Sequence, residues 1–335
     1  MKRIFGFCTL LCCLACSKKD DVAPVHVVYT VGGVYKGSNE AVTFWKNNTP
    51  TNLTSGNTEA FGYDITVSGS DVYVAGAESN GTKRVATLWK NGAATAISNG
   101  TSNAVLTSVF VSGNDVYVAG YESSGTNTVA KYWKNGSPVV LGTGAYSVAY
   151  DITVVGNDVY VTGNQIVGPV STAQLWKNGV ATPLTLSGAS GTYGYSIAVS
   201  GNDVYVAGIS IMPTTTRIAT LWKNGTATKV SDGTHNAYAY SVAVAGTDVY
   251  VAGAEDNDLG GVATVWKNGT RTQYSDGVDS YQTFYVQVVG TDVYLAGYQP
   301  DHTSGNGVQR VFKNGTEIFH SDPAQDAIVN ALFVK

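Results

Sequence analysis

Aromatic side chains recur at one position of a repeated sequence unit, where their rings could stack on sugars or on a peptide. The position lies eight residues before an aspartate that recurs along the chain, and five of its seven occupants are aromatic. In chain order the occupants are Tyr63, Thr107, Tyr150, Tyr195, Tyr240, Phe284 and Asn330. Two residues earlier stand Phe61, Val105, Val148, Tyr193, Tyr238, Gln282 and Ile328. Both sets share the period-2 face of nearby apolar positions, so packing between units is the alternative to a stacking collar.

The residue that follows the first set is small or polar in most units, as the wall of a narrow channel requires. These residues are Asp64, Ser108, Asp151, Ser196, Ser241, Tyr285 and Ala331. Asp64 and Asp151 supply carboxylates that could hold a cation or transfer a proton at the channel mouth. Because they come from units that are not adjacent, the metal alternative is weak, and no metal or other cofactor is predicted.

Histidine is the remaining acid–base candidate. The four histidines, His26, His235, His302 and His320, fall in different units, and neither a His-rich metal pattern nor a nucleophile elbow is present. His235 is retained as a third acid–base candidate at the channel mouth, and no residue is assigned a catalytic role. The predicted ligand-binding residues are Tyr63, Asp64, Tyr150, Asp151, Tyr193, Tyr195, His235, Tyr238, Tyr240, Phe284 and Tyr285.

The unit that carries these residues is marked by the phrase Trp-Lys-Asn-Gly or a near match. It recurs every 43 to 46 residues, beginning at Trp45, Trp89, Trp133, Trp176, Trp222, Trp266 and Phe312. A second phrase, Ser-Gly-Asn-Asp-Val-Tyr-Val-Ala-Gly, precedes most copies. Each unit then predicts four short strands, for example over 107–111, 115–120, 129–134 and 138–141. Asn-Gly joins the last two strands and is the strongest two-residue hairpin signal.

Four antiparallel strands repeated at this period predict a β-propeller blade. The first unit lacks its first strand, and residues 330–334 supply a matching strand at the other end of the chain. The predicted fold is therefore all-β: a seven-bladed β-propeller over residues 26–335, closed by N- and C-terminal strands in one shared blade. The sequence resembles the seven-bladed β-propeller class, and that resemblance assigns no functional residue.

Residues present in nearly every unit are interpreted as structural. The repeated Trp and Tyr are expected to fill the space between blades, because each blade is buried against its neighbours. The repeated Asp, for example Asp115, is expected to bond backbone N–H groups of its turn. Each repeated Lys is expected to face such an Asp across a strand pair. The turns between the first and second strands and between the third and fourth strands of each unit vary little in sequence, so function is expected on the opposite face, where the loops vary.

The first residues indicate export. Residues 1–15 have a basic start and a short apolar stretch, and Cys16 follows Ala15. This resembles a bacterial lipoprotein signal peptide, which implies lipidation of Cys16, although Cys13 stands where that signal usually has Leu. Residues 16–25 form a polar tether, and its acids resemble the surface-export signal of Bacteroidota-like lipoproteins; a plain solvated linker is the alternative. The resemblance implies an outer-membrane protein that faces the cell exterior.

Composition narrows the function further. All four cysteines, Cys8, Cys12, Cys13 and Cys16, precede the repeats, so no disulfide is expected in the propeller. Without Lys2 and Arg3 the formal charge falls from −4 to −6, which disfavours nucleic acid as a partner. We expect a monomeric, non-enzymatic module that binds or scaffolds a glycan or a surface protein, touching the membrane only through its lipid. The alternatives are a glycan hydrolase or lyase and a purely structural spacer.

Overall fold

A computed structural model describes residues 26–258, 260–275, 284–301 and 303–335. The predicted signal peptide, the lipidation site Cys16 and the tether lie outside the described residues, as do Gln282 and His302. Within the described part every regular element is a strand, which confirms the predicted all-β class. None of these residues belongs to a helix of the length and apolar character that a membrane crossing needs.

The strands fall into units of four. Unit 1 contains β1 (Val28–Lys36), β2 (Asn39–Lys46), β3 (Thr49–Asn52) and the C-terminal β28 (Ala327–Val334). Unit 2 contains β4 (Ala60–Ser68), β5 (Asp71–Ser79), β6 (Arg84–Lys90) and β7 (Ala93–Ala96). Unit 3 contains β8 (Ala104–Ser112), β9 (Asp115–Ser124), β10 (Asn127–Lys134) and β11 (Ser137–Val140). Unit 4 contains β12 (Tyr146–Val155), β13 (Asp158–Val167), β14 (Val170–Lys177) and β15 (Val180–Leu184).

The remaining units follow the same order. Unit 5 contains β16 (Gly191–Ser200), β17 (Asp203–Ile211), β18 (Arg217–Lys223) and β19 (Thr226–Lys229). Unit 6 contains β20 (Ala237–Ala245), β21 (Asp248–Asp256), β22 (Gly261–Lys267) and β23 (Thr270–Gln273). Unit 7 contains β24 (Phe284–Val289), β25 (Asp292–Pro300), β26 (Gly307–Lys313) and β27 (Thr316–His320). In units 2 to 7 the strands pair antiparallel in this order, and in unit 1 the order is β28, β1, β2 and β3, as expected of propeller-like sheets.

Two features depart from a simple row of separate sheets. Units 3 and 4 are joined into one eight-stranded sheet through a single parallel pair, Thr128 opposite Tyr146. The join arises where the Thr128 N–H donates to Ala145 O at 3.1 Å, just before β12 begins. In unit 1 the two chain ends pair: β28 lies antiparallel to β1, with Val28 opposite Val334.

The turns between the third and fourth strands of each unit have the predicted geometry. Asn91 and Gly92 have φ of 50° and 87°, and the equivalent Asn-Gly pairs also have positive φ at both positions. Asn91 adds a side-chain role, because its Oδ1 accepts the Val72 N–H at 2.9 Å and its Nδ2 donates to Asp71 at 2.8 Å. The repeated Asp is therefore bonded by the facing hairpin, whereas the sequence predicted bonds to backbone N–H groups of its own turn.

The predicted Lys–Asp pairs form in the six units that carry the Asp. In unit 5 the Lys223 Nζ lies 2.7 Å from Asp203 Oδ2 and 5.3 Å from the centre of the Tyr205 ring. Equivalent pairs are Lys90–Asp71, Lys134–Asp115, Lys177–Asp158, Lys267–Asp248 and Lys313–Asp292. Lys46 has only the ring of Tyr29 beneath it, at 5.8 Å, because Val27 stands at the Asp position of unit 1.

The core lies between units. Buried clusters combine side chains of consecutive units, for example Tyr205 and Ala207 of unit 5 with Val251 and Trp266 of unit 6. All six tryptophans of the repeated phrase are at most 3% exposed, which confirms that the phrase serves packing. Burial of such rings against neighbouring sheets removes large apolar areas from water and fixes the order of the units.

Candidate functional site

A cavity of about 670 Å³ opens among the innermost strands of the units. Its wall contains seven of the predicted ligand-binding residues: Tyr63, Asp64, Tyr150, Asp151, Tyr195, Tyr240 and Tyr285. Further wall residues that the sequence analysis did not select for binding include Thr107, Ser108, Tyr121 and Gln287. A second cavity of about 500 Å³, at the edge where units 1 and 7 meet, contains none of the predicted residues.

A β-bulge in six of the inner strands shapes the cavity wall. In β4 the pairing with β5 shifts between Gly62 and Asp64, so that Tyr63 is the extra residue. The same shift singles out Thr107, Tyr150, Tyr195, Tyr240 and Asn330. Because a bulge breaks the period-2 alternation, the aromatic residue and the residue after it can both face the cavity, as Tyr63 and Asp64 do. Strict alternation, which placed Tyr63 and Asp64 on opposite faces, was therefore wrong at this position.

A repeated glycine makes room for each bulge. A Cβ atom added at Gly76 would overlap the carbonyl oxygen of Phe61, and one at Gly208 would overlap that of Tyr193. Gly32, Gly120, Gly163 and Gly253 face the equivalent carbonyls in their own units. This glycine ends the phrase Val-Tyr-Val-Ala-Gly. A glycine inside a strand often marks a bulge or a close backbone approach. The recurring glycine was therefore the sequence signal for the bulge on the neighbouring strand.

Three tyrosines of consecutive units form an arc in the cavity wall. The Tyr150 and Tyr195 rings meet edge to face with centroids 5.5 Å apart, and Tyr195 and Tyr240 are 5.9 Å apart. Burial raises the pKa of all three phenols, so they are neutral at physiological pH. Neutral, half-buried rings of this kind present stacking surface and a hydroxyl to a ligand.

The residues two positions earlier support this arc from outside. Tyr238 stacks on Tyr240 with centroids 5.6 Å apart and planes 8° apart, and Tyr193 stacks on Tyr195 at 6.4 Å. The Arg217 guanidinium lies 5.8 Å from the Tyr238 ring. Neither Tyr193 nor Tyr238 lines the cavity, so both are placed as supports for the rings that do.

The two predicted carboxylates meet through one serine. Ser108 Oγ lies 2.8 Å from Asp64 Oδ2 and 2.9 Å from Asp151 Oδ1, although the two acids belong to units that do not adjoin. Unit 3 lies between them in the order of units and contributes Ser108, whose hydroxyl contacts both acids. The acids are therefore brought together, and the sequence missed Ser108 as the residue that joins them.

Backbone N–H groups hold both carboxylates in place. Asp64 accepts from the N–H groups of Ile65 and Val109, each at 2.8 Å. Asp151 accepts from those of Ile152 and Ile197, again at 2.8 Å. One donor in each pair comes from a later unit, so the acids tie the inner strands of units 2 to 5 to one another. Burial, followed by the charge of Asp151, raises the pKa of Asp64 to about 7. Burial also raises the pKa of Asp151.

Other predicted residues lie elsewhere. His235 does not line the cavity: it is half exposed before β20, with its Nδ1 3.2 Å from Thr234 Oγ1 and its Nε2 4.0 Å from Asp258 Oδ1. Phe284 is the first residue of β24, opposite Gly297, and its side chain lies outside the described part. Among the described residues, no group of three or more His, Cys, Asp or Glu side chains is arranged to hold a metal ion.

Comparison with known proteins gives the fold. A scan against protein-family models and a search of curated proteins found no match. Among solved structures, the chain is similar to an acylaminoacyl peptidase of Pyrococcus horikoshii, with 10% identity and a TM-score of 0.54 over 88% of this chain and 50% of that one. It is also similar to a puromycin-hydrolyzing peptidase of Mycobacterium tuberculosis, with 11% identity and a TM-score of 0.56 over 86% of this chain and 52% of that one.

The chain thus spans about half the length of these two peptidases. A third structure, that of YjhT, matches with 10% identity and a TM-score of 0.45 over 78% of this chain and 97% of that one. At such identities the likeness to the two peptidases is one of fold, a many-stranded, β-propeller-like arrangement, and it transfers no chemistry.

Proposed function

We propose that the chain is a seven-bladed propeller that acts as a non-enzymatic binding module, with the tyrosine arc of its axial cavity as the ligand site. The observation that carries the proposal is the arc itself: Tyr150, Tyr195 and Tyr240 face an open cavity of about 670 Å³. Cavities that bind small ligands are typically of this size and combine aromatic walls with a few polar groups. The favoured ligand is a glycan, and an extended segment of a surface protein is the other.

The blade count and the closed ring are part of the proposal. They are supported by the four-stranded units and by the buried clusters that join consecutive units. The last cluster supports closure, because Tyr294 and Ala296 of unit 7 pack with Val28 and Val329 of unit 1. A ring leaves no open sheet edge and surrounds an axis, where the inner strands would line a channel.

Binding is tested with the fragment of residues 22–335 on a glycan array and in pull-downs from cell-surface extracts. Tyr195→Ala removes the central ring of the arc and should abolish any binding found. Tyr35→Ala is the matched control, because Tyr35 is 41% exposed and does not line the cavity. Absence of a ligand in both assays, or equal binding by Tyr195→Ala and the unaltered fragment, would refute the proposal.

We also propose a lipid anchor on Cys16 that holds the module on the outer membrane, facing the cell exterior. The support is the sequence resemblance of residues 1–21 to an exported lipoprotein. Metabolic labelling with palmitate should mark the chain and should fail for Cys16→Ala. Protease added to intact cells should remove the module; protection until the cells are broken would place it on an inner face.

The alternative of a glycan hydrolase or lyase has one observation in its favour. A carboxyl group with a pKa of about 7, Asp64, lies in the same cavity as a second carboxyl group. Both acids already accept backbone N–H groups, which suits a structural role better than proton transfer to a substrate. Cleavage of a bound glycan by the fragment, lost in Asp64→Asn, would establish the enzyme instead of the binding module.

A further inference from the structure

The Ser108 hydroxyl lies between two carboxylates. It has one hydrogen, whereas two hydrogen bonds to ionised carboxylates would need two. A serine hydroxyl has a single hydrogen and can donate it to one acceptor in good geometry. Yet both Asp64 Oδ2 and Asp151 Oδ1 lie at full hydrogen-bond distance, 2.8 and 2.9 Å, from Ser108 Oγ. With both acids ionised, one of these contacts would bring an oxygen lone pair against another.

One additional proton resolves the conflict. If one acid is protonated, its O–H donates to Ser108 Oγ, and the Ser108 O–H donates to the other acid, so both short contacts become hydrogen bonds. We propose that Asp64 and Asp151 share a single proton through Ser108, and that this proton fastens the inner strands β4, β8 and β12 to one another. The proposal does not depend on the cavity binding a ligand.

The cavity wall, as far as the structure describes it, provides no cationic side chain to replace that proton. Asp64 and Asp151 are the only charged side chains in the described cavity wall. The other titratable groups there are tyrosines of the strands packed around the pair, each with a pKa raised chiefly by burial: Tyr63, Tyr121, Tyr150, Tyr195, Tyr240 and Tyr285. Neutral phenols cannot offset a second negative charge. Ionising both acids would therefore place two like charges within about 6 Å of each other in a partly dry site.

The pKa directions agree with this geometry. Burial raises the pKa of both acids, and the charge of Asp151 adds to the rise at Asp64. Interacting acids of this kind titrate as a pair, so the proton belongs to the pair. Because the folded state keeps a proton that the unfolded chain releases near pH 4, the folded-to-unfolded ratio should fall about tenfold per pH unit up to about pH 7.

The test is an infrared titration of the full chain, purified in mild detergent, from about pH 6, where ordinary carboxyl groups are ionised, to about pH 9. A protonated carboxylic acid has a carbonyl band that its carboxylate lacks. Glu40 must be removed from the signal, because it is buried and its pKa is also raised to about 7. Burial raises the pKa of Glu255 as well, so its contribution is measured by difference with Glu255→Gln and subtracted. In Glu40→Gln the acid band should correspond to one group and should disappear near pH 7.

Variants at the pair assign the band. Asp64→Asn in the Glu40→Gln chain should abolish it at about pH 6, since the amide that replaces the Asp64 carboxyl group can donate an N–H to Ser108 and Asp151, with no second acid beside it, can ionise. The shared proton would be overturned by any of three results: no band in Glu40→Gln, a band with the intensity of two groups, or a band that persists in the double variant. If the double variant does not fold, the size and midpoint of the band in Glu40→Gln decide the question alone.

Discussion

The two ends of the inner strands obey different rules. At the end that carries the repeated Asp and the Asn-Gly turns, here called the turn end, five units repeat one arrangement of Lys, Asp, Tyr and Asn within the unit. In unit 7 the Tyr294 hydroxyl contacts His26, which precedes β1. At the cavity end the bulge repeats but its side chains do not: Tyr150, Tyr195 and Tyr240 form an arc, whereas Thr107 stands at the same position in unit 3. At these two ends, residues that repeat from unit to unit therefore make mainly polar contacts within their own unit, whereas residues that differ between units make contacts across units.

The acid pair is the clearest case of the second kind. Asp64 and Asp151 do not adjoin in the chain or in the order of units, yet they meet at Ser108. A turn-end aspartate such as Asp203 instead contacts Lys223, Asn224 and Tyr205 of its own unit. The same residue type has its pKa lowered by these partners at the turn end and raised by burial at the cavity end.

The largest effect on stability is expected at Trp222, which serves packing, and a smaller one at Tyr195, which is proposed to serve binding. Trp222 is completely buried, and Trp222→Ala should lower the free energy of unfolding by about 3–5 kcal/mol. Tyr195 is half-buried in the cavity wall, and Tyr195→Ala should cost about 1–2 kcal/mol while abolishing ligand binding. Chemical denaturation of both variants measures the difference. Equal losses of stability would show that the arc is simply part of the core.

Glu40 provides a buried acid without a second acid beside it. Its side chain is 4% exposed, its Oε1 has no hydrogen-bond partner, and burial raises its pKa from 4.5 to about 7. The folded state therefore holds a proton that the unfolded state loses, so stability falls as pH rises from about 4.5 to about 7. The loss should be about 3 kcal/mol. Glu40→Gln should remove this part of the slope and leave the part due to the acid pair.

The control for that measurement is the difference between chains at each pH. Denaturation of the unaltered chain and of Glu40→Gln from about pH 4.5 to about pH 8 should give curves that converge at low pH and separate as the pH rises. Parallel curves would mean that Glu40 ionises normally in the folded protein.

Because of the bulge, alanine substitutions at two glycines of unit 5 should differ in their loss of stability. At Gly208 a Cβ would overlap the Tyr193 carbonyl oxygen, whereas at Gly201, with φ of 59°, it would meet nothing within 4 Å. Gly208→Ala should therefore cost about 1–3 kcal/mol by forcing the backbone apart. Gly201→Ala should cost about 1 kcal/mol through conformational strain alone. Thermal unfolding of both variants checks the order, which would be reversed if the bulge were easily displaced.

The sequence predicted features that depend on the residue types of the repeat phrases, and it missed a feature that depends on how two strands are aligned. Strands, Asn-Gly turns and Lys–Asp pairs depend on neighbours within one unit, so the repeat phrases predicted them. The bulge at Tyr63 depends on a register shift against β5, and strict alternation placed the side chain on the wrong face. Its only trace was the recurring glycine, whose lack of a Cβ makes sense once a carbonyl is known to lie against it.

The candidate site was harder to predict than the fold. The alignment of units grouped Tyr150, Tyr195 and Tyr240, and all three line the cavity. The meeting of Asp64 with Asp151 did not, because it depends on the inner strands lying close enough for one serine to reach both acids. His235 was selected for its chemistry alone, and the fold places it outside the cavity wall.

The smallest effect is expected at the turn end. Lys223→Met removes the ion pair with Asp203, whose side chains are 51% and 38% exposed, so the loss of stability should be slight and should vanish in high salt. Lys223 holds the pKa of Asp203 below its ordinary value. The contribution of the pair is therefore present above about pH 4 and is lost as the acid protonates at lower pH.

Lys46→Met is the matched control for that variant, because Lys46 lies over Tyr29 with Val27 at the position of the missing Asp. Denaturation at low and high salt should show a salt-dependent difference for Lys223→Met and none for Lys46→Met. If both variants lose the same stability with the same salt dependence, the stacking of Lys on Tyr, and not the ion pair, is what stabilises the turn end. The repeated pairing within each unit would then be a consequence of the strand register, and the contrast with the cavity end would lie in the aromatic rings alone.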